Sequence, residues 1–180
     1  VVFGPNARLD VTGSFHVSTA DELGFDGGEA FVARPGGAVP TMAIAHPVDF
    51  GFWVVDSAPA GIWFDETRAS TLDPNFVVGD GETLSVVAGR IEMAGPGGES
   101  RPNVGATGGV VQLAAAPAGS RIPLELSELE DVEALRSNDA LIRLTGGGGA
   151  RVTGSGSEAP ARIVIRAGRF EMVRDQLGGA

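Results

Sequence analysis

The chain has 180 residues and a formal net charge of −10, with 23 acidic residues against 13 basic ones. Nucleic-acid binding needs a basic stripe, and a chain of this charge repels phosphate backbones, so that class of function is excluded. The absence of cysteine excludes disulfides, cysteine-ligated metals and thiol catalysis. No apolar run reaches the roughly 20 residues that a membrane-spanning helix needs. Val1 opens inside an apolar run without a basic leader, which predicts a fragment or a processed product.

Two short apolar runs separated by a tight turn occupy the start of the chain. Residues 1–3 are apolar, and residues 4–6 (Gly-Pro-Asn) combine a fixed φ with tolerance of positive φ, which predicts a turn. Four apolar side chains then recur at even spacings among polar residues: Leu9, Val11, Phe15 and Val17. Because residues two apart share one face of a strand, the pattern predicts a strand, a corner and a second strand.

Two segments of the sequence recur in degenerate form. Residues 7–14 (ARLDVTGS) resemble residues 150–155 (ARVTGS) after a two-residue deletion, and residues 88–93 (AGRIEM) recur as residues 167–172 (AGRFEM). Repeats of short strands with glycine corners are typical of folds that are built turn by turn. Strands of three to five residues are short for a sandwich, and they suit the faces of a β-helix, where each strand pairs with the turns above and below it.

A turn-rich excursion from this pattern is predicted for residues 21–75. It holds most of the large aromatic side chains, and the simplest arrangement is a strand pair around a turn at residues 57–61. Further coils of short strands are predicted for residues 76–180, so that residues 1–180 form a single domain. Within them, residues 127–136 carry a capping box and apolar residues at three-residue steps, which leaves open whether this segment is a helix or an irregular loop.

The segment from Val2 to Ala20, followed by Asp21 and the Phe-Asp-Gly-Gly of residues 25–28, resembles the secretion domain of filamentous-haemagglutinin-family exoproteins. These are the large passenger proteins of two-partner secretion, and the form resembled is common in cyanobacteria and other environmental bacteria. The match is nearly gapless over residues 3–19 and becomes looser further along the chain. The chain departs from the family pattern because it lacks the Asn-Pro-Asn-Gly motif and the part that precedes it.

The resemblance implies a right-handed parallel β-helix with loop and hairpin excursions, secreted or held at the surface of a Gram-negative bacterium. It implies that residues 1–20 engage an outer-membrane transporter of the two-partner type and start coil formation outside the cell. By the same resemblance, Gly4 and Asn6 shape a turn, and Pro5 and Gly13 complete the secretion motif. Four apolar side chains of the motif are expected to fill the core and nucleate the fold: Phe3, Leu9, Val11 and Phe15.

Candidate catalytic and metal-binding residues are few. His16 and His46 are the only histidines, and without a carboxylate at metal-ligand spacing a structural or solvent-facing role is favoured for both. Neither a G-x-S-x-G elbow nor a phosphate-binding glycine loop occurs. Oxygen-bearing side chains that could serve polysaccharide hydrolysis or weak calcium binding are interpreted as solvated loop residues: Asp65, Glu66, Asp73, Asn75, Asp80 and Glu82. No catalytic residue, metal or cofactor is therefore predicted.

The best candidate for a binding surface is the aromatic cluster of residues 50–64. Trp53, Trp63 and Phe64 could form a stacking platform for sugars or a docking patch for a partner. The favoured alternative is that these side chains belong to the hydrophobic core, where tryptophan and phenylalanine bury large areas.

The sequence as a whole predicts a non-enzymatic, adhesin-like protein that is secreted or displayed at the cell surface. Its expected partners are the outer-membrane transporter and a host surface or polysaccharide, but no nucleic acid. One alternative is a self-assembling structural protein whose open strand edges pair head to tail, which a mass that increases with concentration would support. The other is a β-helix enzyme that acts on polysaccharide, which loss of activity in a carboxylate variant would identify.

Overall fold

The computed structural model describes residues 1–33, 45–53, 58–67, 69, 76–96, 102–126, 135–154 and 161–173. The elements defined in these ranges are strands, which confirms the prediction of an all-β chain. They are β1 (Val2–Phe3), β2 (Phe15–Ser18), β3 (Glu22–Phe25), β4 (Ala30–Val32), β5 (Pro47–Phe52), β6 (Gly61–Asp65), β7 (Val77–Asp80), β8 (Thr83–Ala88), β9 (Arg90–Ala94), β10 (Val104–Thr107), β11 (Val110–Ala115), β12 (Ser120–Pro123), β13 (Leu141–Thr145), β14 (Ala150–Thr153), β15 (Arg162–Arg166) and β16 (Arg169–Val173). Of the helix candidate, residues 127–134 lie outside the described ranges. Within those ranges, no helix has the length and apolarity that crossing a membrane requires.

Three parallel sheets are visited by the chain in a recurring order. Sheet 1 has the strand order β1-β6-β9-β13-β16, sheet 2 the order β14-β10-β7, and sheet 3 the order β15-β11-β8-β2. The chain passes from sheet 1 to sheet 2 to sheet 3 three times, through β6-β7-β8, then β9-β10-β11, then β13-β14-β15. Each strand therefore pairs with strands from other passes of the chain rather than with its neighbours in sequence.

Stacked apolar rows fill the space between the three sheets. In sheet 1, Ile62, Ile91 and Ile142 are paired in register, and all three are fully buried. In sheet 3, Leu84 pairs with Val111 in the same manner. Burying one such side chain contributes about 1.5–3 kcal/mol, so the rows supply a large part of the driving force for folding. The period-2 alternation seen in the sequence marks these inward positions.

One outward row of sheet 1 carries charges of alternating sign in β9, β13 and β16. Glu92 pairs in register with Arg143, which in turn pairs with Glu171. Arg143 donates to the Glu171 carboxylate at 2.7 Å, and this hydrogen bond is the largest of the causes that lower the pKa of Glu171. Side chains at one register position of a parallel sheet lie above one another, and like charges in neighbouring strands would repel. The alternation of sign therefore favours this register.

A fourth sheet, which is antiparallel, lies against the outer face of sheet 3. Its strand order is β12-β5-β3-β4, and a second core of buried side chains joins it to sheet 3: Phe50, Phe52, Val87, Ala114, Ala116, Ile122, Leu126 and Leu135. The prediction of a strand pair around residues 57–61 is wrong. β5 pairs with β3 and β12 in sheet 4, whereas β6 pairs with β1 and β9 in sheet 1. Pairing with distant strands overrode the local hairpin.

The last strands of sheets 1 and 3 expose apolar side chains at positions that are buried elsewhere in the stack. Phe170 pairs with the buried Ile142 but is 44% exposed. Ile163 pairs with the buried Val111 but is 43% exposed. These side chains continue the inward rows, and their exposure follows from their position in β15 and β16, at one end of each strand order.

The Ala-Gly-Arg repeat of the sequence lies at two equivalent corners of the fold, and each corner needs its glycine. Gly89 separates β8 from β9, and Gly168 separates β15 from β16, so both lie where the chain turns from sheet 3 into sheet 1. A Cβ atom on Gly89 would collide with the backbone carbonyl of Pro59, and one on Gly168 with the backbone carbonyl of Ser137. The corners therefore need glycine because another part of the backbone approaches closely.

Asn103 links three successive passes of the chain at the corner between sheets 1 and 2. It is fully buried, and its amide nitrogen donates to the carbonyl oxygens of Ala94 at 2.8 Å and Thr67 at 3.4 Å. Its side-chain oxygen accepts from the backbone N–H of Gly149 at 3.0 Å. One side chain thus satisfies backbone groups that follow β6, end β9 and follow β13.

Replacing Asn103 with alanine is expected to destabilise the fold strongly. The change leaves the buried Gly149 N–H without a partner, which costs about 1–3 kcal/mol. It also removes one of the two hydrogen bonds to the Ala94 carbonyl, which still accepts from the backbone N–H of Glu66 at 2.9 Å. We therefore expect Asn103→Ala to lower the free energy of unfolding by about 3 kcal/mol in denaturant titrations followed by circular dichroism. The exposed Asn138 provides the control, because Asn138→Ala should change the free energy of unfolding by less than about 0.5 kcal/mol. Equal effects of the two substitutions would contradict the role assigned to Asn103.

Candidate functional site

The motif of residues 1–20 forms the pass of the stack that precedes β6, over an aromatic cluster. Phe3 stacks on Phe64 with ring centroids 5.1 Å apart and meets Phe76 edge-on at the same distance. Phe15 contacts Phe76 from another side at 6.0 Å. Leu9 also packs against this core, so three of the four apolar side chains expected to fill the core contact it, and all three are half-buried. These contacts join the motif to residues about 60 positions later in the chain.

The remaining motif residues divide into a turn and exposed positions. The backbone N–H of Ala7 donates to the carbonyl of Gly4 at 2.9 Å, which closes the predicted turn around Pro5 and Asn6. Val11 is 41% exposed, so the prediction that it fills the core is wrong. A Cβ atom on Gly4 or on Gly13 would meet nothing within 4 Å, and neither position requires glycine for steric reasons. The nucleating role of the motif stays a prediction.

The predicted aromatic surface of Trp53, Trp63 and Phe64 does not form one patch. Phe64 is buried in the core at 1% exposure, which confirms for this residue the favoured alternative that it belongs to the hydrophobic core. Trp53 is 40% exposed after β5 of sheet 4, whereas Trp63 is 38% exposed in β6 of sheet 1. Since successive side chains of a strand point to opposite faces, Trp63 faces outward where Phe64 faces inward.

Both indoles lie over a glycine that comes two residues earlier on the same face of the strand. A Cβ atom on Gly51 would lie 2.7 Å from Nε1 of Trp53, and one on Gly61 would lie 2.7 Å from Cη2 of Trp63. The Gly-x-Trp spacing, which occurs at residues 51–53 and 61–63, is the sequence signal for this arrangement. Here it identifies partly exposed tryptophans whose rings pack against a glycine of the same strand face.

Trp53 is held by polar groups from three strands of sheet 4. Its indole Nε1 donates to Glu22 at 3.1 Å, and the guanidinium of Arg121 lies over the ring, 5.0 Å from its centroid. Arg121 donates to both carboxylate oxygens of Asp49 at 2.7 Å and to Glu22 at 3.1 Å. The hydrogen bond to Asp49 is the main cause of a raised pKa of Arg121. We call Glu22, Asp49, Trp53 and Arg121 the Trp53 platform.

Sequence reasoning missed three members of the platform. Glu22, Asp49 and Arg121 are separated by up to 99 residues, and they meet only because β3 and β12 flank β5. In the register of sheet 4, Arg121 pairs with Gly51 and Asp49 pairs with Gly24. Apart from the Gly-x-Trp spacing, the sequence holds no local signal for this cluster.

His16 begins a row of polar side chains on the outer face of sheet 3. It pairs in register with Ser85, and Ser85 pairs with Gln112. Gln112 holds the segment that follows β12, because its side-chain oxygen accepts from the backbone N–H of Leu126 at 2.6 Å. Nδ1 of His16 and the hydroxyl of Ser85 are buried and have no hydrogen-bond partner in the part of the chain that the structure describes. Burial lowers the pKa of His16, and the carboxylate of Glu125 opposes this effect.

The other candidates from the sequence lie apart from one another. His46 is exposed, as are Asp65, Glu66 and Asp80. The hydroxyl of Ser14 donates to Glu82 at 2.7 Å. Asp73 and Asn75 lie outside the described residues, so the structure leaves the calcium hypothesis untested. Across the described ranges, no group of three or more histidine, aspartate or glutamate side chains is arranged to hold a metal ion.

Comparisons of this chain with models of known protein families, with curated proteins and with solved structures found no match.

The burial of His16 predicts a stability that depends on pH near neutrality. Because the folded state holds the pKa of His16 below its ordinary value near 6.5, the unfolded chain binds more protons below that pH. The free energy of unfolding should therefore decrease as the pH falls from about 7.5 to about 5.5, above the range in which ordinary carboxylates titrate.

Denaturant titrations of two variants isolate this effect. His16→Gln removes the titrating ring and should flatten the dependence between about pH 7.5 and 5.5. His46→Gln removes an exposed ring and should leave the dependence as it is in the parent chain. If His16→Gln retains the full slope, the desolvation of His16 does not cause it.

Proposed function

We propose that the three parallel sheets are the faces of a right-handed parallel β-helix. The recurring order of sheets 1, 2 and 3 supports this, as do the short strands and the glycine corners at Gly89 and Gly168. Connections between parallel strands of one sheet are right-handed in about 98% of cases, because a right-twisted strand returns most readily in that sense. Sheet 4 is then a lateral excursion that covers one face of the helix.

We further propose that the chain is a non-enzymatic, adhesin-like protein that reaches the cell exterior by two-partner secretion. In this proposal, residues 1–20 engage the outer-membrane transporter. The observation that carries it is the packing of the motif segment: Phe3 and Phe15 attach it to Phe64 and Phe76 in the following pass of the stack. The segment that resembles a secretion domain is thus also the segment on which the following strands are built.

The coupling of export to folding follows from the pairing pattern. β1 and β2 offer free edges to which β6 and β8 attach in parallel register. In a stack of repeats the first unit is costly to form, and each later unit gains the interface with the previous one. A chain that leaves the cell with its N-terminal part first can therefore fold one pass at a time. Each apolar row that becomes buried outside the cell opposes movement of the chain back through the transporter.

Phe3 provides the test of this proposal. Phe3→Ala removes the ring stacked on Phe64 and should lower the free energy of unfolding by about 3 kcal/mol. In cells that express the chain with its natural flanking sequence and its transporter, we expect at least fivefold less protein outside the cell and its accumulation in the periplasm. Phe3→Leu keeps most of the apolar volume and should restore export.

Phe31 provides the matched control. It lies in β4 of sheet 4 and is 42% exposed, so Phe31→Ala should leave export unchanged. Normal export of Phe3→Ala, despite its loss of stability in the purified chain, would contradict the proposal that packing of residues 1–20 onto the next pass drives export.

A further inference from the structure

We propose that the Trp53 platform is a binding site for neutral sugars. This inference deepens the proposed adhesin function by naming a ligand class and a site, and it rests on that function only for its biological role. The platform lies on sheet 4, away from the N-terminal aromatic cluster, and combines an aromatic ring that is 40% exposed with hydrogen-bonding groups beside it. Sugar rings require both elements, because they present apolar C–H faces and a rim of hydroxyl groups.

The platform is rigid before any ligand arrives. The backbone N–H of Trp53 donates to Asp21 at 2.8 Å, and its indole N–H donates to Glu22. The ring lies against Gly51, where any side chain would displace it. Gly24 has the same function for the charged groups, because a Cβ atom there would collide with the carboxylate of Asp49. A ring that is held in place while 40% exposed loses little conformational entropy on binding.

The hydrogen-bonding groups of the platform favour a ligand that donates hydrogen bonds. The two oxygens of Asp49 each accept one bond from Arg121, and the two oxygens of Glu22 accept from Arg121 and Trp53. Each carboxylate oxygen has two lone-pair sites, so all four oxygens retain acceptor capacity. Hydroxyl groups of a sugar are donors that match these acceptors.

The charges of the platform exclude the two other ligand classes. One guanidinium and two carboxylates give it a net charge of −1, which disfavours sulfated, sialylated or uronic sugars. A ligand cation would seek the indole, but the guanidinium of Arg121, 5.0 Å from the ring centroid, would repel a second positive charge, whereas it does not repel a neutral ligand. A neutral, hydroxyl-rich ring remains as the class that the platform fits.

Tryptophan fluorescence isolates the platform, because the chain has two tryptophans and no tyrosine. In purified Trp63→Phe protein, Trp53 is the only indole. We expect its emission to change saturably with at least one of the methyl glycosides of glucose, galactose, mannose or N-acetylglucosamine, with a dissociation constant on the order of 1 mM. Adding Asp49→Asn should raise that constant at least fivefold while the circular dichroism spectrum stays unchanged.

The matched control is Trp53→Phe, in which Trp63 reports alone and should not respond to the same glycosides. Three outcomes would overturn the proposal: an unchanged Trp53 emission with all four glycosides up to about 50 mM, a response only to choline or galacturonate, or a response from Trp63 in the control. The titration uses purified protein and involves no transporter. A negative titration would therefore not contradict the export proposal, and a negative export experiment would not contradict the sugar-binding site.

Discussion

Hydrogen bonding between successive passes of the chain is the constraint on which the rest of the structure depends. A strand of sheet 1, 2 or 3 finds its partners in other passes, as β9 does in β6 and β13, and an isolated strand leaves its backbone groups unpaired. The fold is therefore stabilised by contacts between successive passes rather than by contacts within one pass. The same constraint brings identical register positions together, so that apolar side chains form inward rows, and Glu92, Arg143 and Glu171 form one outward row of alternating charge.

This constraint applies to the stack of sheets 1 to 3 and leaves the outer face of sheet 4 without a part in the stacking. The interior of the stack takes the apolar rows, and its corners are held by glycines and by the buried Asn103. Sheet 4 is outside the stack and attaches to it through the second core around Phe52 and Ile122. Its outer face is therefore free to carry an exposed tryptophan and its charged neighbours without disturbing the stack. A binding surface on a lateral sheet can vary while the folding mechanism stays the same.

Local features of the fold could be predicted from the sequence, and distant pairings could not. The turn at residues 4–6, the inward Phe3 and Phe15, and the recurring Ala-Gly-Arg corners depend on turn chemistry, period-2 alternation and small side chains, all of which are visible locally. The pairing of β5 with β12 and the meeting of Glu22 with Arg121 depend on strands far apart in sequence.

Two of the errors have simpler physical reasons. Trp63 and Phe64 are neighbours on one strand, and a strand directs neighbours to opposite faces, so a single patch could not include both. Val11 follows the even spacing of Leu9 but lies outside any strand of the described chain, where that spacing no longer fixes the direction of the side chain.

The register of the stack is tested most directly by engineered disulfides, because the chain has no cysteine of its own. Glu92 and Arg143 are register partners on the outer face of sheet 1, and adjacent strands are about 4.8 Å apart, within the range that a disulfide bridges. Glu92 and Glu171 are two strands apart, at about 9.6 Å, which is too far. The stacked arrangement predicts that oxidation of purified E92C/R143C forms an intramolecular disulfide and that oxidation of E92C/E171C does not. Cross-linking of E92C/E171C, or its absence in E92C/R143C, would contradict the strand order β9-β13-β16 and with it the stack.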